Sequence, residues 1–233
     1  MSKAILFDLD GTLLPLNTEE FLKKYFGTVA PYFRDVAAPA EFLKYLLTAT
    51  EKMLQNDGTV SNEELFMQQF LPAIKQEREV MAPLFETFYR DEFPQLKQYA
   101  GYTEQAAEVV QLAVDKGYKI VLATNPVFPE AAIRHRMEWA GVGHFPWALV
   151  TAYENTCTCK PNPRYYQEIS DKIKVRPAQC LMIGNDVQED IVSKSLGMTT
   201  FLVTKNLIDR GDPTYEPDGR GDLTELKDFL SKF

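Results

Sequence analysis

Two carboxylates one residue apart, Asp8 and Asp10 in the run Asp8-Leu9-Asp10-Gly11-Thr12, head the groups in this chain that could do chemistry. Three more clusters follow: Thr124-Asn125, Lys160 in Lys160-Pro161-Asn162-Pro163, and Asp186 with Asp190 in Gly184-Asn185-Asp186-Val187-Gln188-Glu189-Asp190. Carboxylates brought together repel, since two unit charges about 4 Å apart at an effective dielectric near 20 interact by roughly 4 kcal/mol. A magnesium ion relieves that repulsion and suits a few hard oxygen ligands completed by water and an anionic substrate. A carboxylate shielded in this way can act as a nucleophile, with a lysine as a compact positive charge beside it.

Each residue taken singly also has a plain structural use. Asp and Gly make turns, Thr124 can cap a helix, Lys160 can be a solvated loop residue, and acids such as Asp186 and Asp190 are favoured at helix N-termini. What joins them is their place in the pattern. Ala4-Ile5-Leu6-Phe7 is too short for a buried helix and reads as a core strand. Strands are predicted to end at Thr124 and to run over 148–151, 180–183 and 200–203, alternating with helices over 104–115, 130–140, 164–173 and 189–196. The alternation predicts an α/β fold with a Rossmann-like parallel sheet, whose ligand crevice lies at the carboxyl ends of the strands. Every cluster falls at such an end or in the loop after it. The segment 206–223 is rich in Gly, Pro and Asp and reads as a loop before a last helix near 225–230. Its two Arg-Gly-Asp tripeptides, at 210–212 and 220–222, are attributed to turn composition and given no function.

Between the first two strands lie more residues than a crossover needs. Helix-period patterns fill them, as in Phe21, Leu22, Tyr25, Phe26 and again in Phe42, Leu43, Leu46, Leu47. Pro39, Asn56-Asp57-Gly58, Ser61 with Glu64, and Pro72 are expected to fall between the patterns. The expected organisation is a catalytic core of 1–15 and 97–233 with an inserted helical cap domain of 16–96, jointed near Pro15–Asn17 and Tyr99–Gly101. The aromatic stripes of the insert read as bundle core. Lys23, Lys24, Tyr32 and Arg34 are candidates for contact with a substrate.

On these four ordered motifs the chain resembles the haloacid dehalogenase superfamily of hydrolases, most of which are magnesium-dependent phosphatases, and the insertion between motifs one and two resembles the helical cap of one subfamily. The resemblance implies that Asp8 attacks phosphorus to form an aspartyl phosphate and that Asp10 protonates the leaving oxygen and later activates water. It implies that Asp8 and Asp186 bind magnesium through their side chains and Asp10 through its carbonyl, with Asp190 holding the site directly or through water. Thr12 would orient Asp10. Thr124, Asn125 and Lys160 would hold the transferring phosphate. A phosphotransferase of the sugar-phosphate mutase kind carries the same motifs, and a binding protein could keep the fold without turnover.

The remaining features bound the reading. A formal charge of −8, without a basic stripe, argues against nucleic-acid or anionic-membrane partners. Acidic residues as early as Asp8 leave no room for a signal-peptide apolar region, so a cytoplasmic protein is expected, monomeric or a small homo-oligomer, acting on a small phosphorylated metabolite. Cys157, Cys159 and Cys180 lack zinc-site spacing and read as free thiols, although Lys160 could lower the thiol pKa of its neighbours. His135 and His144 stand apart, Arg134 and Arg136 are expected to be solvated, and Trp139 and Trp147 to serve packing.

Overall fold

A computed structural model of the chain describes residues 3–233, so the first two residues of the expected core segment lie outside it. The chain runs β1 (Ala4–Phe7), α1 (Thr18–Tyr32), α2 (Pro39–Leu54), α3 (Asn62–Ile74) and α4 (Arg78–Thr87). A π-helical turn (Phe88–Glu92) and a 3₁₀ segment (Phe93–Tyr99) follow, then α5 (Glu104–Asp115), β2 (Lys119–Leu122), α6 (Glu130–Trp139), β3 (Leu149–Val150) and α7 (Pro163–Ile173). Last come β4 (Cys180–Gly184), β5 (Thr199–Val203), β6 (Gly219–Gly221) and α8 (Leu223–Lys232).

The six strands form one parallel sheet in the order β3-β2-β1-β4-β5-β6. β1 is central and buried on both faces, which is why its sequence is an unbroken apolar run. Ile5 and Phe7 join the larger core cluster, while Ala4 and Leu6 pack with Tyr165, Tyr166 and Ile169 of α7 on the opposite side. Register brings the strand ends together. Phe7 sits opposite Leu122 of β2 and Ile183 of β4, so the residues after all three leave the sheet at one level. The last ladder bonds, Asp8 N–H to the Ile183 carbonyl (2.9 Å) and Ala123 N–H to the Phe7 carbonyl (2.7 Å), close that edge.

Helices α1 to α4 are joined by signals visible in the sequence. Asn17 caps α1 by accepting the Glu20 N–H, Ser61 caps α3 by accepting the Glu64 N–H, and Pro39 opens α2. Pro72 departs from expectation: it lies inside α3, in the last turn before Lys75 terminates the helix in a left-handed conformation. Its missing N–H deprives a single carbonyl, that of Gln68, of its helical donor, and the helix has only two residues left to run. The aromatic stripes do pack as core, with Phe33 stacked on Phe42 (centroids 4.6 Å apart) and Phe70 edge-on to Phe42. Each fully buried phenylalanine contributes roughly 1.5–3 kcal/mol. The same stripes reach the sheet layer, where Phe93 stacks on Trp139 and Tyr25 meets Phe128.

The chain leaves and re-enters the sheet layer side by side. Gly101 N–H donates to the Pro15 carbonyl at 2.7 Å, and a Cβ at 101 would come within 2.9 Å of Pro15. A second tie fastens the start of α3 to the loop that leads to Lys160: Asn62 N–H donates to the Thr156 carbonyl and Glu63 N–H to the Tyr153 carbonyl, both at 2.8 Å. The buried Asn62 amide adds a bond to the Thr158 carbonyl at 3.2 Å.

Two more differences concern the last third of the chain. Residues expected to form a helix over 189–196 make a 3₁₀ segment at Ile191–Leu196, closed by Gly197 in the left-handed region. The segment 206–223 ends in β6, an edge strand of Gly219, Arg220 and Gly221 without any apolar residue to announce it. Trp139 and Trp147 are packing residues, the latter edge-on to Phe7. No helix of the described residues is long and apolar enough to cross a membrane.

Candidate active site

Asp8, Asp10, Thr124, Asn125, Asp186 and Asp190 line one cavity of about 200 Å³ at the carboxyl ends of β1, β2 and β4, with Thr18 and Leu22 of α1 over it. Lys160 does not line the cavity but lies behind two residues that do, Asp8 and Asp190. It is 2% exposed, and its Nζ donates to Asp8 Oδ1 at 2.9 Å and to Asp190 Oδ1 at 2.6 Å. Burial alone would lower the Lys160 pKa, but Asp190 and Asp8 together hold it well above the usual lysine range, so the ammonium stays charged. Asp190 is raised by burial even against Lys160. Its other oxygen accepts the Asp186 N–H at 3.0 Å, which ties the β4 loop to the lysine. Gly184 makes this possible, because a Cβ at that position would lie 2.0 Å from Asp190 Oδ2. Gly11, at φ +86°, serves the opposite wall: a Cβ there would lie 2.3 Å from the Asn185 amide.

Thr12 is placed differently from expectation. Its hydroxyl lies 2.9 Å from Asp8 Oδ2 and 3.0 Å from Asn185 Oδ1, so it holds Asp8 rather than Asp10. Asp10 is held by Arg136. Expected to be solvated, Arg136 is instead 2% exposed, pairs through Nη1 with Asp10 Oδ2, donates from Nε to the Ala132 carbonyl and lies 4.7 Å over the Phe128 ring. Burial pushes the Asp10 carboxyl up and Arg136 pulls it back, while Oδ1 of the same carboxyl is buried without a hydrogen-bond partner among the described residues. Arg134 does face outward, paired with Glu130. The signal for Arg136 was its spacing: it stands four residues after Ala132, three after Ile133 and four before Ala140, all buried.

The 206–223 loop also supplies the site. Arg210, first residue of an Arg-Gly-Asp tripeptide, donates to Asp186 Oδ1 at 2.7 Å, and that oxygen also accepts the Gln188 and Glu189 N–H groups. Asn206 donates to the Gly11 carbonyl and accepts from Asn185. Asn125 Nδ2 donates to Glu189 Oε2 at 3.2 Å, and burial raises the Glu189 carboxyl. Lys23, Lys24, Tyr32 and Arg34 line neither this cavity nor the apolar one beside it; Lys24 lies over the Tyr99 ring. The cysteines are free, and burial pushes the Cys159 thiol up to about 12, the reverse of activation by Lys160.

The donor set fits a hard divalent cation. Five carboxylates (Asp8, Asp10, Asp186, Glu189, Asp190) line the cavity against two lining arginines, 136 and 210, with Lys160 behind, so negative charge is in excess. Among the described residues no three acidic, histidine or cysteine groups converge closely enough to cage an ion alone. Magnesium does not demand such a cage, since it keeps waters and takes substrate oxygens.

The chain matches the haloacid dehalogenase-like hydrolase description over residues 2–193. It belongs to that hydrolase family. It is similar to the glyceraldehyde 3-phosphate phosphatase of Methanothermobacter thermautotrophicus, 24% identical over 246 residues covering 99% of this chain and 100% of the relative. It is also similar to the pyrophosphatase PpaX of Bacillus cereus, 22% identical over 227 residues covering 97% of this chain and 94% of the relative. Among solved structures it resembles a HAD phosphatase from Thermococcus onnurineus (TM-score 0.61, 22% identity, 98% of this chain and 97% of that one). It also resembles an L-2-haloacid dehalogenase from Xanthobacter autotrophicus (TM-score 0.59, 12% identity, 99% of each chain). The fold is common to both chemistries, so the site must decide between them.

Arg136 gives a first test. Arg136→Met removes the one cation among the described residues that pairs with Asp10, and kcat is expected to fall about tenfold or more. Arg136→Lys should restore part of the loss, because a point charge replaces the guanidinium without its second contact. A kcat unchanged in Arg136→Met, or a loss confined to KM, contradicts a positioning role.

Proposed function

We propose that this hydrolase is a magnesium-dependent phosphatase that cleaves small soluble phosphomonoesters through an aspartyl phosphate on Asp8. The observation that carries the reading is the pairing of Asp8, held by Lys160 and Thr12, with Asp10, a half-buried carboxyl raised by burial and steadied by Arg136. Dehalogenases of the superfamily lack an acid–base group at the position of Asp10, and the phosphatase names of the two curated relatives point the same way.

In this reading Asp8 attacks phosphorus, Asp10 gives its proton to the departing alcohol oxygen, and the same carboxylate then takes a proton from the water that cleaves the acyl phosphate. Lys160 offsets the charge on Asp8 and the phosphoryl group, while Thr124 and Asn125 bind the transferring oxygens. The Asp8 and Asp186 side chains and the Asp10 carbonyl would hold magnesium, with Asp190 fixing the loop of Asp186. When bound, the cation neutralises the phosphate and lowers the repulsion that a carboxylate nucleophile would otherwise meet. Residues 1–15 and 97–233 form the catalytic core, and 16–96 act as a cap that excludes bulk water.

The test is phosphate release from 4-nitrophenyl phosphate. Turnover is expected with magnesium, loss on chelation and recovery when magnesium is returned. A correctly folded sample that releases no phosphate with any divalent metal overturns the proposal and favours a binding protein.

A further inference from the structure

A second cavity, of about 290 Å³, lies between the helical insert and the sheet layer and shares Leu22, Asn125, Val127, Phe128 and Glu189 with the catalytic cavity. Its remaining wall is aliphatic and aromatic, with Phe26, Leu46, Phe66 and Phe85 from the insert. Among the described residues no lysine, arginine or histidine lines it, and Glu189 is its one acidic residue. Of the four hydroxyls on its wall three are spent on the protein, since Tyr25 and Tyr89 bond each other at 2.8 Å and Thr50 donates to the Leu46 carbonyl at 2.9 Å, and the Tyr153 hydroxyl alone has no hydrogen bond among the described residues.

Resting on the phosphatase reading, we infer that this slot receives the organic part of the substrate, and that the substrate is the phosphomonoester of an apolar alcohol rather than a sugar phosphate or a phosphorylated acid. Position supports it. The shared wall includes Phe128, on which the Arg136 guanidinium lies while pairing with Asp10, so the slot adjoins the catalytic cavity on the side of the group that protonates the leaving oxygen. Chemistry supports it as well. A sugar would bring several hydroxyls into a space with few free partners, and each left unpaired carries a desolvation cost. A carboxylate or second phosphate would meet Glu189 and no cation. An alkyl or aryl group would lose nothing there and gain burial. One acceptor is free at the boundary, since Asn125 Oδ1 is buried without a partner among the described residues, and it could take a single hydroxyl or N–H near the ester oxygen.

Size sets the scale. Against the roughly 150 Å³ cavity that holds one benzene ring, a slot of about 290 Å³ takes an alkyl or aryl group of roughly eight to twelve carbons. Leu47 and Leu54 line the slot at its exposed part, 44% and 42% exposed, where the far carbons of an eight-carbon chain would pack.

The experiment is a kcat/KM series on ethyl, butyl, hexyl and octyl phosphate with magnesium, alongside glucose 6-phosphate and 4-nitrophenyl phosphate. The alkyl esters share one leaving-group chemistry, so only the slot distinguishes them. The expected result is a rise of roughly threefold per methylene, near 10²-fold from butyl to octyl, with glucose 6-phosphate below hexyl phosphate. In the double variant Leu47→Gln, Leu54→Gln, both changes at exposed positions, the octyl-to-butyl ratio should collapse toward one. A flat or falling series in the wild type, or a rise that the double variant leaves intact, overturns the slot while phosphate release itself upholds the phosphatase. No release from any ester, the aryl ester included, overturns both.

Discussion

Asp8→Asn is expected to reduce phosphate release by a factor of about 10⁴ or more, the scale on which loss of a nucleophile acts. The replacement is nearly isosteric. Its amide oxygen can still accept from Lys160, which sits 2.9 Å from Asp8 Oδ1 and keeps Asp190, while its amide N–H can donate to the Thr12 hydroxyl, which then donates to Asn185 Oδ1. The fold therefore has no reason to fail, and removing one carboxylate from a cavity with excess negative charge relieves repulsion. The attacking oxygen is the loss that matters. Because Asp8 also belongs to the proposed cation ligands, a weaker metal site is the competing account of any loss. A magnesium titration separates the two: lost affinity is restored at high magnesium, whereas a missing nucleophile is not. Acid-quench trapping should find phosphoenzyme in the wild type and none in the variant. Near-normal rates in Asp8→Asn would remove the nucleophile from the proposal and leave the cavity without a mechanism.

The elements that position Asp8 were legible because they obey strong rules. A four-residue apolar run cannot be a buried helix, and alternation of strands and helices calls for a parallel sheet whose carboxyl edge collects the residues just past each strand. Asp8, Thr124 and Asp186 meet for that reason. The residues that escaped reading do so for equally physical reasons. Gly219, Arg220 and Gly221 make an edge strand through backbone bonds alone, and such a strand has no side-chain period to betray it. Arg210 reaches Asp186 from a loop, where sequence spacing does not fix direction. Arg136 was obscured by its charge, although its place on the buried stripe of α6 was available to spacing. The cap candidates were chosen by charge and polarity from α1 and, for Arg34, the turn after it, but that helix turns Leu22, Tyr25 and Phe26 toward the cavities. Stripes read only as bundle core thus do two things, since Phe66 and Phe85 belong to the core and also wall the slot.

For Asp10→Asn the expected loss is about 10²- to 10⁴-fold in kcat/KM on alkyl phosphates, the range of general acid–base catalysis, with the magnesium requirement close to wild type. Asparagine can accept from Arg136 as Asp10 does, so the ion pair becomes a neutral-acceptor bond in the same place and the cavity keeps its shape. It has no proton to give to an alkoxide. Burial, the largest influence on the Asp10 carboxyl, favours its protonated form, and Arg136 opposes that without cancelling it. A group balanced in this way can donate in the first step and accept in the second. The decisive feature is how the loss depends on the ester. An alkoxide departs poorly unless protonated, whereas 4-nitrophenolate departs without help, so kcat/KM for 4-nitrophenyl phosphate should fall far less than for butyl phosphate. Equal losses on the two esters would mean that Asp10 acts on something common to both, such as the cation or the position of Asp8, and the role of proton donor would pass to another group in the cavity, of which Glu189, also raised by burial, is the nearest in character.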